Sequence, residues 1–324
     1  MKQFWKLEKP QVVLDAAKSQ KGLHIALELL IFVAVYFVCN FGQSILLVPG
    51  IVVALFTSPE FWELVQSFNL YSAIDIQQVM DSITSNNSIM IISLLATVAT
   101  TAVTMGVCKL LQKRKMNTLG FHKKGWIKEY LVGWVVGFIL FSAAVLICVA
   151  TGSLTFNGIS ADFAVGTFLL FTIGFIIQGM SEEVLCRGYF LVSVGRRYSM
   201  LIAIIANSVF FAALHLGNSG ISVLAFINLI LFGVFASVYF IKRNDIWGVC
   251  AVHSVWNLVQ GNVYDIRVSG MKLSCSLFSS EITEGKELIH GGAFGLEGGL
   301  AVTVVLVVGT IILLCMKGKK AEEF

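Results

Sequence analysis

Two adjacent carboxylates, Glu182 and Glu183, stand inside a run of apolar residues long enough to be buried in a bilayer, and Arg187 follows four residues later. Charged side chains at membrane depth are costly and mark functional sites. Glu183 and Arg187 share a helix face at that spacing and can pair. Glu182 is turned by about 100° and is free to face something else. Charge compensation for Arg187 needs one carboxylate and leaves the other unexplained. Only two of the five histidines, His215 and His253, lie well inside apolar segments. His215 follows Phe211 by four residues. Alone, such a histidine is a polar link between helices, and Phe211 is a core or lipid-facing ring. His253 and Asn257 are also four apart and stack on one helical face. There they can link helices, hold a metal, donate to an oxyanion or position a water. Two carboxylates, an arginine and two histidines in apolar helices have the makings of a buried reaction centre.

The elements that must position these residues are membrane helices. The chain is 57% hydrophobic and 13% charged over 324 residues, with mean hydropathy +0.84, whereas soluble domains carry about 25% charged residues. Eight apolar stretches have the length of spanning helices: 24–57, 89–111, 129–151, 164–190, 199–217, 220–241, 246–263 and 298–316. The expected fold is all-α, a polytopic membrane helix bundle. A basic interfacial segment (1–23) precedes one transmembrane domain (24–316), and a short tail (317–324) follows it. Asn40, Gln43, Ser44 and Pro49 interrupt the first stretch, which predicts a kink or an interfacial extension. Phe4 and Trp5 among Lys2, Lys6 and Lys9 suit a segment lying on the membrane surface. With eight spans, 19 of the 23 Lys and Arg fall on one side, and ten of the 19 acidic residues fall on the other. That asymmetry places both termini in the cytoplasm. The two outer loops are 58–88 and 264–297, and glycine pairs at 291–292 and 298–299 suggest that the second is mobile. Six of the seven cysteines lie in or beside apolar segments, so no disulfide framework is implied.

Helix rise gives a rough depth for the site. Glu182 is about 21 Å from Arg196, His215 about 27 Å from Arg197 and His253 about 15 Å from Arg243. Connecting turns can absorb these differences, so a common site in the middle of the bilayer or toward the cytoplasmic side is expected.

The ordered set Glu182-Glu183-x-x-x-Arg187, Phe211-x-x-x-His215 and His253-x-x-x-Asn257, on three helices spanning 164–263, resembles the CAAX protease and bacteriocin-processing (CPBP, or Abi) family of intramembrane proteases. All motif positions match. The eight-helix plan is similar to that of the type II CAAX prenyl endopeptidases. The resemblance implies peptide-bond hydrolysis within the membrane. Glu182 with His215 would activate water, His253 and Asn257 would stabilise the oxyanion, and Glu183 with Arg187 would brace the helix. Glu182, His215 and His253 are also a familiar ligand set for catalytic zinc, so one divalent metal is the candidate cofactor.

The expected partners are a peptide or membrane-protein substrate and the lipid bilayer. No nucleic-acid-binding domain and no Gly-rich phosphate loop are present. Short loops and the lack of a targeting signal suggest a bacterial cell membrane. Two other classes compete with an active endopeptidase. A non-proteolytic immunity or scaffold protein of the same family would tolerate degenerate motifs, and here they are intact. A proton-coupled transporter would also use buried Glu and His, but the inverted repeats common in that class are not evident.

Overall fold

A computed structural model describes residues 7–66, 79 and 86–319. Eight helices form the bundle among the described residues. They are α2 (Ile25–Thr57), α4 (Asn87–Leu111), α5 (Trp126–Ala150), α6 (Val165–Gly195), α7 (Met200–Ala213), α8 (Val223–Arg243), α9 (Trp247–Leu258) and α10 (Leu300–Cys315). Helices α1 (Gln11–Ser19) and α3 (Pro59–Gln66) are short. Five of the helices, α2, α4, α5, α6 and α8, are long and apolar enough to cross a membrane, and α7 and α10 are shorter apolar helices. The chain is therefore an integral, multi-pass membrane protein. Helix α9 differs in kind, because every residue from Gly248 to Leu258 is buried within the protein.

The basic segments meet at one end of the bundle. The Val12 N–H donates to Asn244 Oδ1 (3.0 Å), and Arg196 pairs with Glu28 (3.3 Å). Arg243 pairs with Glu129 (2.7 Å), which also binds Lys319. Helix α1 buries Val12, Val13 and Ala16 against this end, with Val13 close to Gly195. The expected surface anchor at Phe4 and Trp5 lies outside the described residues.

The polar residues of α2 do not break it. The helix runs through Pro49 for 33 residues, about 50 Å, well beyond the roughly 30 Å hydrocarbon thickness, so the expected extension is present. Ser44 Oγ and Asn40 Nδ2 bond to carbonyls one turn back, Asn40 O (2.9 Å) and Tyr36 O (2.8 Å). Gln43 Nε2 donates across to Thr100 Oγ1 (2.6 Å). Close packing centres α9. On α5, a Cβ at Gly133 would lie 2.1 Å from the Gly248 carbonyl oxygen, and one at Gly137 would lie 2.7 Å from the Val252 oxygen. This small-xxx-small spacing lets two helix backbones touch. On the other flank, a Cβ at Gly179 of α6 would lie 2.5 Å from Ser254 Oγ.

At the opposite end the bundle carries a two-stranded antiparallel sheet, β1 (Leu154–Ile159) with β2 (Phe278–Ile282), which the all-helical reading did not foresee. The outer loop 264–297 is folded, contrary to the expected mobility. Asn228 Nδ2 binds the Glu297 and Gly299 carbonyls (2.8 and 2.9 Å), and the Gly270 N–H donates to the Phe294 carbonyl (2.9 Å). Its glycines meet tight backbone contacts. Gly291 has φ +81°, and a Cβ there would sit 2.0 Å from the Gly295 oxygen. Most of the loop 58–88 lies outside the described residues.

Asp245 caps α9 at the basic end, its Oδ1 accepting from the N–H groups of Trp247 (2.7 Å) and Gly248 (3.3 Å). Burial pushes its carboxyl up to about 7. An unfolded Asp ionises near 3.9, so between about pH 4 and 7 the folded state holds a proton that the unfolded state has lost. Stability then falls as pH rises through that window. Thermal denaturation of detergent-solubilised protein should show wild type losing stability relative to Asp245→Asn between pH 4.5 and 7, with a constant difference above that.

Candidate active site

Helix α6 carries Glu182 and Glu183 at the point where its hydrogen bonding widens into a π-helical stretch, Val184–Leu191. Such stretches frequently occur at functional sites. The buried Arg114 supports this one, its Nη2 donating to the Gly188 and Thr118 carbonyls (2.9 and 2.8 Å). The expected ion pair is present and sealed: Arg187 Nη1 meets Glu183 Oε1 at 2.7 Å, with both side chains 0% exposed. The same Glu183 Oε1 also meets His253 Nδ1 at 2.8 Å. Glu183 therefore links α6 to α9 as well as neutralising Arg187.

Phe211 has a definite part. Its ring lies under the guanidinium of Arg187, 4.6 Å from carbon to centroid, a cation–π contact. Its carbonyl lies 2.9 Å from His215 Nδ1. A carbonyl can only accept, so His215 Nδ1 carries the proton and Nε2 of the neutral ring is an acceptor. Helix α7 ends at Ala213, and His215 sits in the turn beyond it.

Glu182 faces the other way, as its spacing requires. Gln178 Nε2 donates to Glu182 Oε1 (2.6 Å), and Asn257 Nδ2 donates to Gln178 Oε1 (3.0 Å). Glu182 Oε2 lies 4.0 Å from His215 Nε2 and 3.8 Å from His253 Nε2, and it has no hydrogen-bond partner among the described residues. Carboxylate and imidazole atoms thus converge on one small region from three helices. The group is half open: Glu182 is 30% and His215 16% exposed at the side chain. It lines a cavity of about 320 Å³ whose far wall includes Asn40 and Gln43 of α2.

All six residues expected at the site thus belong to one assembly. Glu182, His215, His253 and Asn257 face the cavity, and Glu183 and Arg187 lie behind it. Sequence reasoning missed Gln178, although its position one turn before Glu182 was a signal. It also took Asn40 and Gln43 for helix interruptions, when they line the cavity.

The donor types of Glu182, His215 and His253 suit a divalent ion. His253 carries the carboxylate partner on Nδ1 that metal-ligating histidines commonly have. The donor separations are wider than the about 3.4 Å edge of a tetrahedral zinc site, and among the described residues no three such side chains are disposed as a metal-binding group.

Residues 164–259 match the model of one protein family, described as type II CAAX prenyl endopeptidase Rce1-like. The matched segment contains all six residues. Neither the curated proteins nor the solved structures yield a match.

Removing the charge of Glu183 would strand Arg187 in the interior. Breaking a buried pair from one side costs about 3–5 kcal/mol. Glu183→Gln should therefore lower the denaturation midpoint of the solubilised protein sharply, whereas Glu182→Gln, at a half-open position, should leave it nearly unchanged.

Proposed function

We propose that this chain, whose residues 164–259 match the Rce1-like CAAX prenyl endopeptidase model, hydrolyses a peptide bond of a membrane-associated peptide or protein with water activated by Glu182. The supporting observation is the convergence of Glu182 Oε2 with the Nε2 atoms of His215 and His253, at 4.0 and 3.8 Å, beside a cavity.

Glu182 is the general base, held in place by the amide of Gln178. His215, fixed by its bond to the Phe211 carbonyl, accepts from the same water and aims its lone pair at the substrate carbonyl. Glu182 takes one proton as the water oxygen bonds to the carbonyl carbon. The C=O electron pair becomes an oxyanion, which Asn257 Nδ2 and protonated His253 Nε2 stabilise. Glu183 holds the Nδ1 proton of His253 while pairing with Arg187, and the oxyanion itself offsets the charge on His253. Glu182 then passes its proton to the amide nitrogen, and the C–N bond breaks to give a carboxylic acid and an amine, and the acid's proton passes to the amine, leaving a carboxylate and an ammonium. A divalent ion held by Glu182, His215 and His253 would add Lewis-acid polarisation. Burial of the site strengthens each of these interactions relative to water.

A positioned general base is worth about 10²–10⁴-fold in rate. Comparative peptidomics of cells expressing wild type or Glu182→Gln should lose specific peptides in the variant at equal protein abundance. Identical peptide sets would move the assignment to a non-proteolytic immunity or scaffold role. For the metal, purified protein is expected to keep its activity after exhaustive chelation. Stoichiometric zinc that disappears in His215→Ala would make these residues a metal centre instead.

A further inference from the structure

The cavity has a second carboxylate, which the hydrolytic scheme does not use. Glu297, from the folded outer loop, lines it together with Val268, Ser269 and Met271. One oxygen of Glu297 is committed to the fold: Oε2 accepts from Ser269 N–H and Ser269 Oγ (both 2.8 Å) and from Gln260 Nε2 (3.4 Å). Its Oε1 makes no hydrogen bond and no ion pair among the described residues, and the side chain is only partly buried. Among those residues the cavity lining holds Glu182, Glu297 and no Lys or Arg.

The position of Glu297 along the substrate path follows from α9. His253 and Asn257 face the cavity from α9, and Gln260 follows in the π-helical turn Val259–Val263 that continues this helix. Gln260, which touches Glu297, is seven residues beyond His253, about 10 Å along the helix toward the outer loop. An extended peptide covers about 3.3 Å per residue, so Glu297 lies about three residues from a bond held at Glu182.

Resting on the proteolytic reading, we propose that Glu297 is a specificity-determining residue, which binds a cationic group of the substrate about three residues from the scissile bond, on the outer-loop side. The group is an ammonium or guanidinium, carried by a Lys or Arg side chain or by a free N-terminus. The substrate class is then a membrane-inserted peptide with a positive charge close to the outer end of its apolar segment. A free C-terminal carboxylate at the same place would be repelled.

The test uses full-length Glu182→Gln protein in lipid nanodiscs and a set of apolar 15-residue peptides. The peptides carry a single Lys, norleucine or Glu at successive positions, each with a free or an acetylated N-terminus. Binding is read by fluorescence anisotropy. A hydrogen bond to a charged group is worth about 1.5–3 kcal/mol, so Lys at one favoured position should tighten Kd by about 10–100-fold over norleucine, and Glu there should weaken it. Adding Glu297→Gln, which keeps an acceptor for Ser269, should abolish the preference, and Glu297→Lys should reverse it toward Glu. If the free N-terminus is the ligand, acetylation alone removes the gain. Equal binding of the Lys and norleucine peptides at every position overturns the proposal, and so does a preference that survives Glu297→Gln. The peptide comparison needs no variant of Glu297, so misfolding of a variant does not obscure it. Wild type should cut the favoured peptide at a fixed offset from the charge. A clear binding preference without cleavage by wild type would contradict the hydrolytic reading while supporting this site.

Discussion

One carboxylate oxygen organises the interior. Glu183 Oε1 receives Arg187 at 2.7 Å and His253 at 2.8 Å, and the pair with Arg187 is fully buried. Buried charges persist only when paired and hydrogen-bonded. This junction therefore fixes the relation of α6 to α9 more firmly than apolar packing could, because apolar surfaces can slide and a two-way charged contact cannot. Because Glu183 receives His253 at Nδ1, the far side of that ring points at Glu182. The second imidazole is aimed by the same device with a different acceptor, the Phe211 carbonyl.

The surrounding fold serves this arrangement. Helix α9 is enclosed rather than lipid-facing, and glycines at 133, 137 and 179 allow its neighbours to approach until backbones touch. Helix–helix attraction in lipid relies on such close contact, since water supplies no driving force between helices there. At the basic end, Asp245 caps the same helix, and at the other end Gln260 ties it to the outer loop. The histidine and asparagine that face the cavity thus sit on a helix held on both flanks and at both ends.

Much of this was legible in the sequence, and the limits have physical causes. The Glu183–Arg187 pair and the shared face of His253 and Asn257 follow from helical periodicity alone. The apolar runs and the alternation of basic and acidic connections pointed to a polytopic bundle, and five helices long and apolar enough to cross a membrane are present, with shorter apolar ones beside them. Spacing could not reveal that Glu183 meets a histidine seventy residues later, because periodicity says which residues share a face and not which helix that face meets. Asn40 and Gln43 were taken for interruptions for the same reason, since a polar residue in an apolar run is ambiguous until its neighbour is known. The glycine pairs of the outer loop suggested mobility, whereas Gly291 supplies a positive φ at a crowded backbone crossing. The small sheet escaped notice because two short strands in long polar loops leave little pattern.

The aim of both imidazoles at Glu182 depends on where their protons sit, and nitrogen-15 NMR of histidine-labelled protein in bilayers reads those protons directly, with His215→Gln and His253→Gln providing assignments. Glu183 and the Phe211 carbonyl require a proton on Nδ1 of both rings, with an unprotonated Nε2 on His215. A His215 ring protonated only at Nε2, or a His253 ring with a bare Nδ1, would contradict that placement, because neither could then be aimed at Glu182 as described.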